Sequence, residues 1–156
     1  MNDLNRFIES QNLIYETVLF ELKNGKKKSH WMWYIFPQLK GLGYSYKSYF
    51  YGIKDLNEAR NYLQNDTLKS RYNECCNILF ELEKKDINLI FDSIDCLKLR
   101  SSLTLFILCN TISNALPLNV FFAYSILIPL LYSVYIKNKS KQCINITCFE
   151  NIIKNR

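Results

Sequence analysis

The residue types best suited to chemistry lie in one short segment, which contains the only histidine of the chain. Three consecutive lysines, Lys26 to Lys28, precede Ser29 and His30. An imidazole ring exchanges protons near neutral pH, and neighbouring ammonium groups attract anions. Backbone amides at the start of a helix also favour a phosphate or a carboxylate. We therefore predict His30 as a catalytic residue, with Lys28 and Ser29 as ligands of an anion.

The segment continues into large aromatic residues that extend this candidate site. Trp31 and Trp33 are predicted to line it, and Gln38 adds an amide side chain. A purely structural explanation is also open, in which Ser29 caps a helix, the lysines face solvent and the tryptophans fill the core. By residue type alone, the structural explanation is the commoner one.

A second group of polar residues follows about seventy positions later, in the segment DCLKLRSSLTLF (95–106). On a helix, Lys98 lies three and four residues before two serines, so the three side chains share one side of that helix. A cation beside hydroxyl groups suits an anionic or polar ligand, although a partly exposed helix has the same appearance. The candidate ligands in this segment are Lys98, Arg100, Ser101 and Ser102.

Both groups lie on or beside predicted helices. Apolar residues recur at helical spacing from about residue 3 to residue 23, and Gly25 follows where a left-handed C-terminal cap belongs. Asp55 and Glu58 form a capping box. Ser29 is expected to cap a short helix that Pro37 ends, and Gly41 and Gly43 mark a loop. Further helices are predicted over 55–64, from 66 to about 82, over 86–91 and over 96–108, with Asp66 and Asp95 as caps.

This pattern predicts an all-α protein, a compact single helical domain of about five to seven helices. Its length of 156 residues fits one domain with a sizeable core. Asp92 and Asp95 can serve either as helix caps or as ion-pair partners of Lys98 and Arg100.

The net charge of +6 raises the question of nucleic acid as a partner. Residues 1–106 carry 15 basic and 13 acidic residues, so much of the excess lies in the remaining chain. Basic residues interleaved with aromatic ones do not form a stripe along any predicted helix, as a surface that follows phosphates requires. The sequence therefore argues against nucleic acid.

The cysteines and the N-terminus indicate a reducing compartment. The six cysteines show no CxxC spacing, and with one histidine they form no recognisable metal site. Motifs for a nucleotide phosphate or a dinucleotide are also missing, so we expect neither a metal nor another cofactor. The first ten residues have two acids and no apolar signal core, which favours a cytoplasmic location.

The C-terminal part, residues 107–156, differs from the rest of the chain. Residues 115–136 give 22 mostly apolar positions, followed by three lysines within five residues. This length can span a bilayer and would place the basic flank in the cytosol. Three interpretations stay open: a frameshifted or degraded gene end, a membrane segment that makes the protein membrane-associated, or a divergent pair of buried helices.

Several segments in the same order along the chain resemble the family known as domain of unknown function 1810, sometimes labelled calpastatin. They are DLNRFIESQ (3–11), KKSHWMWYIFPQLKGLG (27–43), LNEARNYL (56–63) and DCLKLRSSLTLF (95–106). The resemblance covers residues 3–106 and implies a mainly helical, intracellular domain whose biochemistry is not established. It also implies that the two polar groups come together in the fold, because they are the signature motifs of this family. Beyond Phe106 the sequence departs from the family pattern.

Two functions follow as hypotheses. In the first, a polar pocket holds a small anionic, nucleotide-like ligand, with His30 as the acid–base group and the lysines, Arg100 and serines as its ligands. In the second, the protein is a non-enzymatic adaptor or interaction protein, anchored to a membrane by its apolar tail. The sequence does not identify a protein partner.

Overall fold

The computed structural model describes residues 4–82 and 86–111. These residues form seven α-helices, which confirms the predicted all-α class. The helices are α1 (Asn5–Lys23), α2 (Met32–Ile35), α3 (Tyr46–Phe50), α4 (Leu56–Gln64), α5 (Asp66–Glu81), α6 (Ile87–Ile90) and α7 (Ser93–Thr111).

The core lies between the three longest helices and the short helix α2. Helix α1 packs on α5 and α2, α4 packs on α5 and α7, and α2 also contacts α7. Tyr72 and Phe106 meet edge to face at 4.8 Å, an arrangement that the ring quadrupoles favour. The contact of α2 with α7 brings the two sequence motifs side by side. The largest fully buried side chains are Trp31, Tyr62, Tyr72, Phe7, Phe36 and Phe106.

Helix α1 follows the predicted pattern closely. Its buried face includes Phe7, Val18 and Leu22, which recur at helical spacing. Gly25 has a φ of 62°, so the predicted left-handed cap is confirmed. The helix begins after Leu4, which makes no side-chain cap hydrogen bond.

The predicted caps at Ser29 and Asp66 are wrong, and of the two carboxylates offered as caps of α7, Asp92 takes this role and Asp95 does not. Ser29 does not cap α2, because its hydroxyl and amide bind the carboxylate of Glu21. Helix α5 is capped by Asn65, one residue before the predicted Asp66. Helix α7 is capped by Asp92, whose Oδ1 accepts the amide N–H of Asp95 at 2.7 Å. In α5 and α7 the observed cap lies three residues before the backbone N–H that it accepts, which is the usual spacing of a helix N-cap hydrogen bond.

The predicted loop after Pro37 contains a helical turn that the sequence pattern does not reveal. Helix α3 begins after Ser45, whose Oγ accepts the amide N–H of Ser48 at 3.1 Å. A parallel β-bridge between Leu39 and Ile53 closes the base of the segment. A Cβ atom at Gly52 would lie 2.8 Å from the Cα of Lys40, so this close approach requires glycine. We call residues 40–52 the aromatic loop.

Helix α7 continues beyond residue 106 to Thr111. The predicted apolar segment 115–136 lies outside the described residues, and so do Cys143 and Cys148. Of the helices in the described ranges 4–82 and 86–111, none has the length and apolar character needed to cross a membrane.

Candidate functional site

A buried carboxylate organises the lysine-rich segment of the first motif. Glu21, on the apolar side of α1, is only 5% exposed. Its Oε2 accepts the amide N–H of Lys28 and the indole N–H of Trp31, both at 2.8 Å. Its Oε1 accepts the amide N–H of Ser29 at 3.0 Å and also the Ser29 hydroxyl. Burial raises the pKa of Glu21, but these hydrogen bonds outweigh it and leave the pKa below its usual value.

Glu21 is not among the residues predicted from the sequence, although a signal for it exists. It lies in the chain between the buried residues Leu19 and Leu22 of α1. A carboxylate at a buried position of an amphipathic helix needs several donors to offset its desolvation. The sequence shows the position but not the donors, which come from the segment after the helix.

A second buried carboxylate joins the two motifs. The carboxylate of Asp95, on α7, forms ion pairs with two lysines. Its Oδ2 lies 2.6 Å from Nζ of Lys27, and its Oδ1 lies 2.7 Å from Nζ of Lys98. The three side chains are 7%, 9% and 17% exposed, respectively, so solvent screens this cluster little. Burial raises the pKa of Asp95, but the hydrogen bonds and charges of the two lysines outweigh it and lower the pKa. The cluster fixes Lys27 of the first motif against α7.

The two tryptophans have different environments. Trp31 is fully buried and packs its edge against Phe91 at a centroid distance of 6.1 Å. Trp33 is half-buried. The Nζ atom of Lys98 lies 4.4 Å from the centroid of the Trp33 ring, and that of Lys47 lies 5.3 Å from it. Both distances are within the range of a cation–π interaction. Trp31 is therefore a core residue, whereas Trp33 meets cations at the surface.

The remaining residues of the first motif separate into exposed and buried ones. The side chains of Lys28 and His30 are exposed. Within the part of the chain that the structure describes, no hydrogen bond is formed by the His30 imidazole. Gln38 is 7% exposed, and its backbone carbonyl accepts the amide of Ile53. Lys28 and His30 are thus accessible to a ligand, and Gln38 is nearly covered.

The serines of the second motif do not reach a common surface. Ser101 is half-buried and donates its hydroxyl to the Leu97 carbonyl at 3.0 Å, within its own helix. Ser102 is fully buried and shares a hydrogen bond of 3.2 Å with the hydroxyl of Tyr72. Consecutive residues of a helix point about 100° apart, which explains why Ser102 is buried while Ser101 is only half-buried. Arg100 is half-buried on the same helix.

This difference predicts unequal effects of the two serines on stability. In Ser102→Ala the buried hydroxyl of Tyr72 loses its partner, and we expect the free energy of unfolding to fall by about 1–2 kcal/mol. In Ser101→Ala, the matched control, the change should stay within about 0.5 kcal/mol. Denaturant unfolding of the two variants measures both values. Equal losses would mean that the Tyr72–Ser102 hydrogen bond contributes nothing specific.

The clefts near these residues are shallow. One of about 150 Å³ lies beside the Asp95 cluster, between Lys26, Lys27, Phe91 and Asp92. Pockets that enclose a small organic ligand usually measure about 300–1,000 Å³. A larger cleft of about 380 Å³ lies between the start of α1 and the aromatic loop, away from both motifs. A ligand held where the two motifs meet would therefore rest on the surface.

The described thiols are unsuited to nucleophilic chemistry. Burial raises the pKa of Cys75 to about 12 and that of Cys96 to about 11, so both are neutral thiols at pH 7. Cys75, Cys76 and Cys96 are free thiols. Over residues 4–82 and 86–111, histidine, cysteine and carboxylate side chains form no group of three that could hold a metal ion.

Comparison with known proteins supports the resemblance seen in the two motifs. A solved structure, that of the conserved hypothetical protein Rv1873 from Mycobacterium tuberculosis, matches with a TM-score of 0.69 and 44% sequence identity. The match covers 72% of this chain and 80% of that one. No curated protein matches the chain.

The family comparison extends further along the chain than the two motifs do. The family model described as "Protein of unknown function (DUF1810)" matches residues 1–123. The matched region thus includes the seven helices of the described residues and continues past residue 106, where the resemblance in the sequence was expected to end. This protein is accordingly a member of the DUF1810 family.

Proposed function

We propose that the protein binds a small anionic ligand on the surface around Trp33, where the two motifs meet. The observation that carries this proposal is the pair of ammonium groups, from Lys47 and Lys98, within 5.3 Å and 4.4 Å of one half-buried indole ring. Two cations held at one ring attract an anion between or beside them. We call Trp33, Lys47 and Lys98 the Trp33 site, and we include Lys28 and His30 in the proposal as exposed residues of the same segment as Trp33.

The charge balance of the buried cluster supports this assignment. Two ammonium groups share the single carboxylate of Asp95, which leaves one positive charge in excess. An ammonium group has three N–H donors, and Lys98 uses one of them on Asp95. Its remaining donors and its position over Trp33 make Lys98 the strongest candidate for contact with an anionic oxygen.

The chemistry of the site favours an anion that carries a planar group, such as a nucleotide. Phosphate oxygens pair with ammonium groups, and a base stacks on an aromatic face such as that of Trp33. Of the residues in the Trp33 site, His30 is the one suited to acid–base chemistry near neutral pH. The proposed function is binding, and any reaction at this site would use His30 as its general acid or base.

A thermal-shift experiment with inorganic pyrophosphate and with AMP tests this proposal. A ligand at ten times its dissociation constant adds about 1.4 kcal/mol to the stability of the folded state, which raises Tm by about 4 °C in a chain of this size. We expect this shift in the full-length protein and its loss in Trp33→Leu and Lys98→Met. His30→Ala should reduce the shift without changing the Tm of the unliganded protein, because this side chain is exposed.

The matched control is Lys69→Met, on α5, which removes one positive charge far from Trp33 along the chain. Its ligand-induced shift should equal that of the unaltered protein. A shift that is the same in Lys98→Met and in Lys69→Met would show that the anion binds through general charge attraction, and the proposed site would be wrong.

A second candidate function is that of an interaction protein without catalytic activity. It is favoured by large exposed aromatic side chains in the aromatic loop, among them Tyr44, which is fully exposed. Monomeric proteins seldom expose such groups in a cluster without a binding role.

A further inference from the structure

The positive charge of the chain is concentrated in one stretch. Residues 22–54 contain seven lysines and no acidic residue. The other residues together carry 13 basic and 14 acidic side chains, so the stretch has a local charge of +7 while the rest of the chain taken together is close to neutral. Six of the seven lysines are exposed, and the seventh, Lys27, pairs with Asp95. The net charge of residues 1–106 is nevertheless small, because acidic residues outside the stretch offset its lysines.

The same stretch contains the aromatic loop, whose rings face solvent. Tyr44 is 100% exposed, Tyr46 77%, Tyr49 62% and Phe50 41%. The rings of Tyr46 and Phe50 already stack, with centroids 5.8 Å apart and planes inclined by 16°. Four large rings within seven residues leave a considerable apolar area in water unless a partner covers them.

Lysines lie directly beside these rings. The Nζ atom of Lys40 is 3.8 Å from the ring centroid of Tyr49, and Lys47 extends from α3 to Trp33. The loop is held in shape at its base, where Lys40 and Ile53 form a backbone hydrogen bond of 2.8 Å. Exposed rings alternating with ammonium groups on a fixed loop match the needs of unpaired bases and of the phosphates between them.

We infer that the aromatic loop binds single-stranded nucleic acid, with bases stacked on Tyr44, Tyr46 and Tyr49 and phosphates beside Lys40 and Lys47. Flat rings in an open loop suit unstacked bases, whereas the base faces of a duplex are hidden. An acidic protein segment carries the same sign of charge as nucleic acid, but it has no bases to stack on the tyrosine rings. The inference does not depend on the Trp33 site, which adjoins the loop through Lys47.

Fluorescence polarisation of the full-length protein with a labelled oligothymidylate of about 20 nucleotides tests this inference. Stacking of one base on an aromatic ring changes affinity by roughly five- to a hundredfold. We expect the variant Tyr44→Ser/Tyr46→Ser/Tyr49→Ser to bind at least about tenfold more weakly. Affinity should fall as salt rises from about 50 to about 200 mM, and less steeply in Lys40→Met/Lys47→Met.

Two controls separate stacking from general attraction. Phe20→Ser removes an aromatic ring of α1 that is 69% exposed and lies outside the loop, and it should bind like the unaltered protein. A duplex of equal length should bind at least about tenfold more weakly than the single strand. All variants change exposed side chains, so their thermal transitions should stay close to that of the unaltered protein.

Several results would overturn the inference. They are a lack of binding at low salt, equal affinity for duplex and single strand, or an undiminished affinity in the triple tyrosine variant. Binding of labelled polyglutamate that the triple variant loses, without binding of the oligothymidylate, would assign the loop to an acidic protein instead. The triple variant should keep its stabilisation by pyrophosphate, and Trp33→Leu should keep oligothymidylate binding, so the two proposals fail independently.

Discussion

Replacing Glu21 with glutamine should lower the free energy of unfolding by about 3 kcal/mol and Tm by about 6–12 °C. The carboxylate accepts N–H groups of Lys28, Ser29 and Trp31 as well as a hydroxyl. A glutamine side chain offers one oxygen and turns an NH₂ group towards the other donors. At least one buried N–H then lacks an acceptor, and each such group costs about 1–3 kcal/mol.

The matched control is Glu16→Gln, on the exposed side of the same helix. It should change the free energy of unfolding by no more than about 0.5 kcal/mol. Denaturant unfolding followed by tryptophan fluorescence measures both variants, and the buried Trp31 reports directly on the affected region. If Glu21→Gln were as mild as the control, the bonds of this carboxylate would not fix the lysine segment.

Glu21 also gives stability a definite dependence on pH. Its folded-state pKa lies below the ordinary value of 4.5, so the unfolded chain takes up this proton first as the pH falls. The stabilisation that the ionised Glu21 carboxylate provides is complete above about pH 5 and is lost as the pH drops through its lowered pKa. Asp95 acts in the same direction, because its pKa is also lowered. The stability of Glu21→Gln should therefore change less between pH 6 and pH 3 than that of the unaltered protein.

The second large effect is expected for Asp95→Asn, which should cost about 3 kcal/mol. It leaves the ammonium groups of Lys27 and Lys98 close together, little exposed and without the charge that attracts them. Repulsion between two poorly hydrated cations then opposes the packing of the lysine segment against α7. Asp66→Asn, an exposed substitution at the start of α5, is the control and should cost at most about 0.5 kcal/mol.

Asp95→Asn also distinguishes a structural role of the cluster from a binding role. Because Asp95 competes with any anion for Lys98, its neutralisation should strengthen pyrophosphate binding severalfold while it lowers stability. Isothermal titration at a temperature well below the Tm of the variant measures this affinity. A loss of stability with unchanged or weaker pyrophosphate binding would mean that Lys98 serves only the fold, and would contradict the Trp33 site.

The sequence predicted the long helices well, because their signals are local. The periodicity of α1, the glycine that ends it and the Asp55 cap of α4 all hold in the structure. The predicted cap at Ser29 was wrong, because a polar residue before an apolar run can equally bind a distant partner. Helix α3 escaped prediction because its five residues are too few to show a period, and, unlike the short helix that Pro37 ends, it follows two glycines that mark a loop.

The candidate residues could be identified from their types and from the family resemblance, but their exposure could not. Spacing places two residues on one side of a helix, yet it does not say which neighbour covers that side. Trp31, just before α2, lies in the core, whereas Trp33 within α2 is half-buried at the surface. Helix α7 buries Ser102 against Tyr72, while Ser101 bonds within the helix.

The amino-acid sequence by itself determined the helical class, the family and the concentration of lysines over residues 22–54, because these depend on local patterns and composition. Only the tertiary structure decided that Glu21 and Asp95 hold the lysine segment against the helices, and that Trp33 and the aromatic loop face solvent. The reason is physical: hydrogen bonds, ion pairs and burial depend on groups that are distant in sequence, and their positions are set by how the helices rotate and pack against one another.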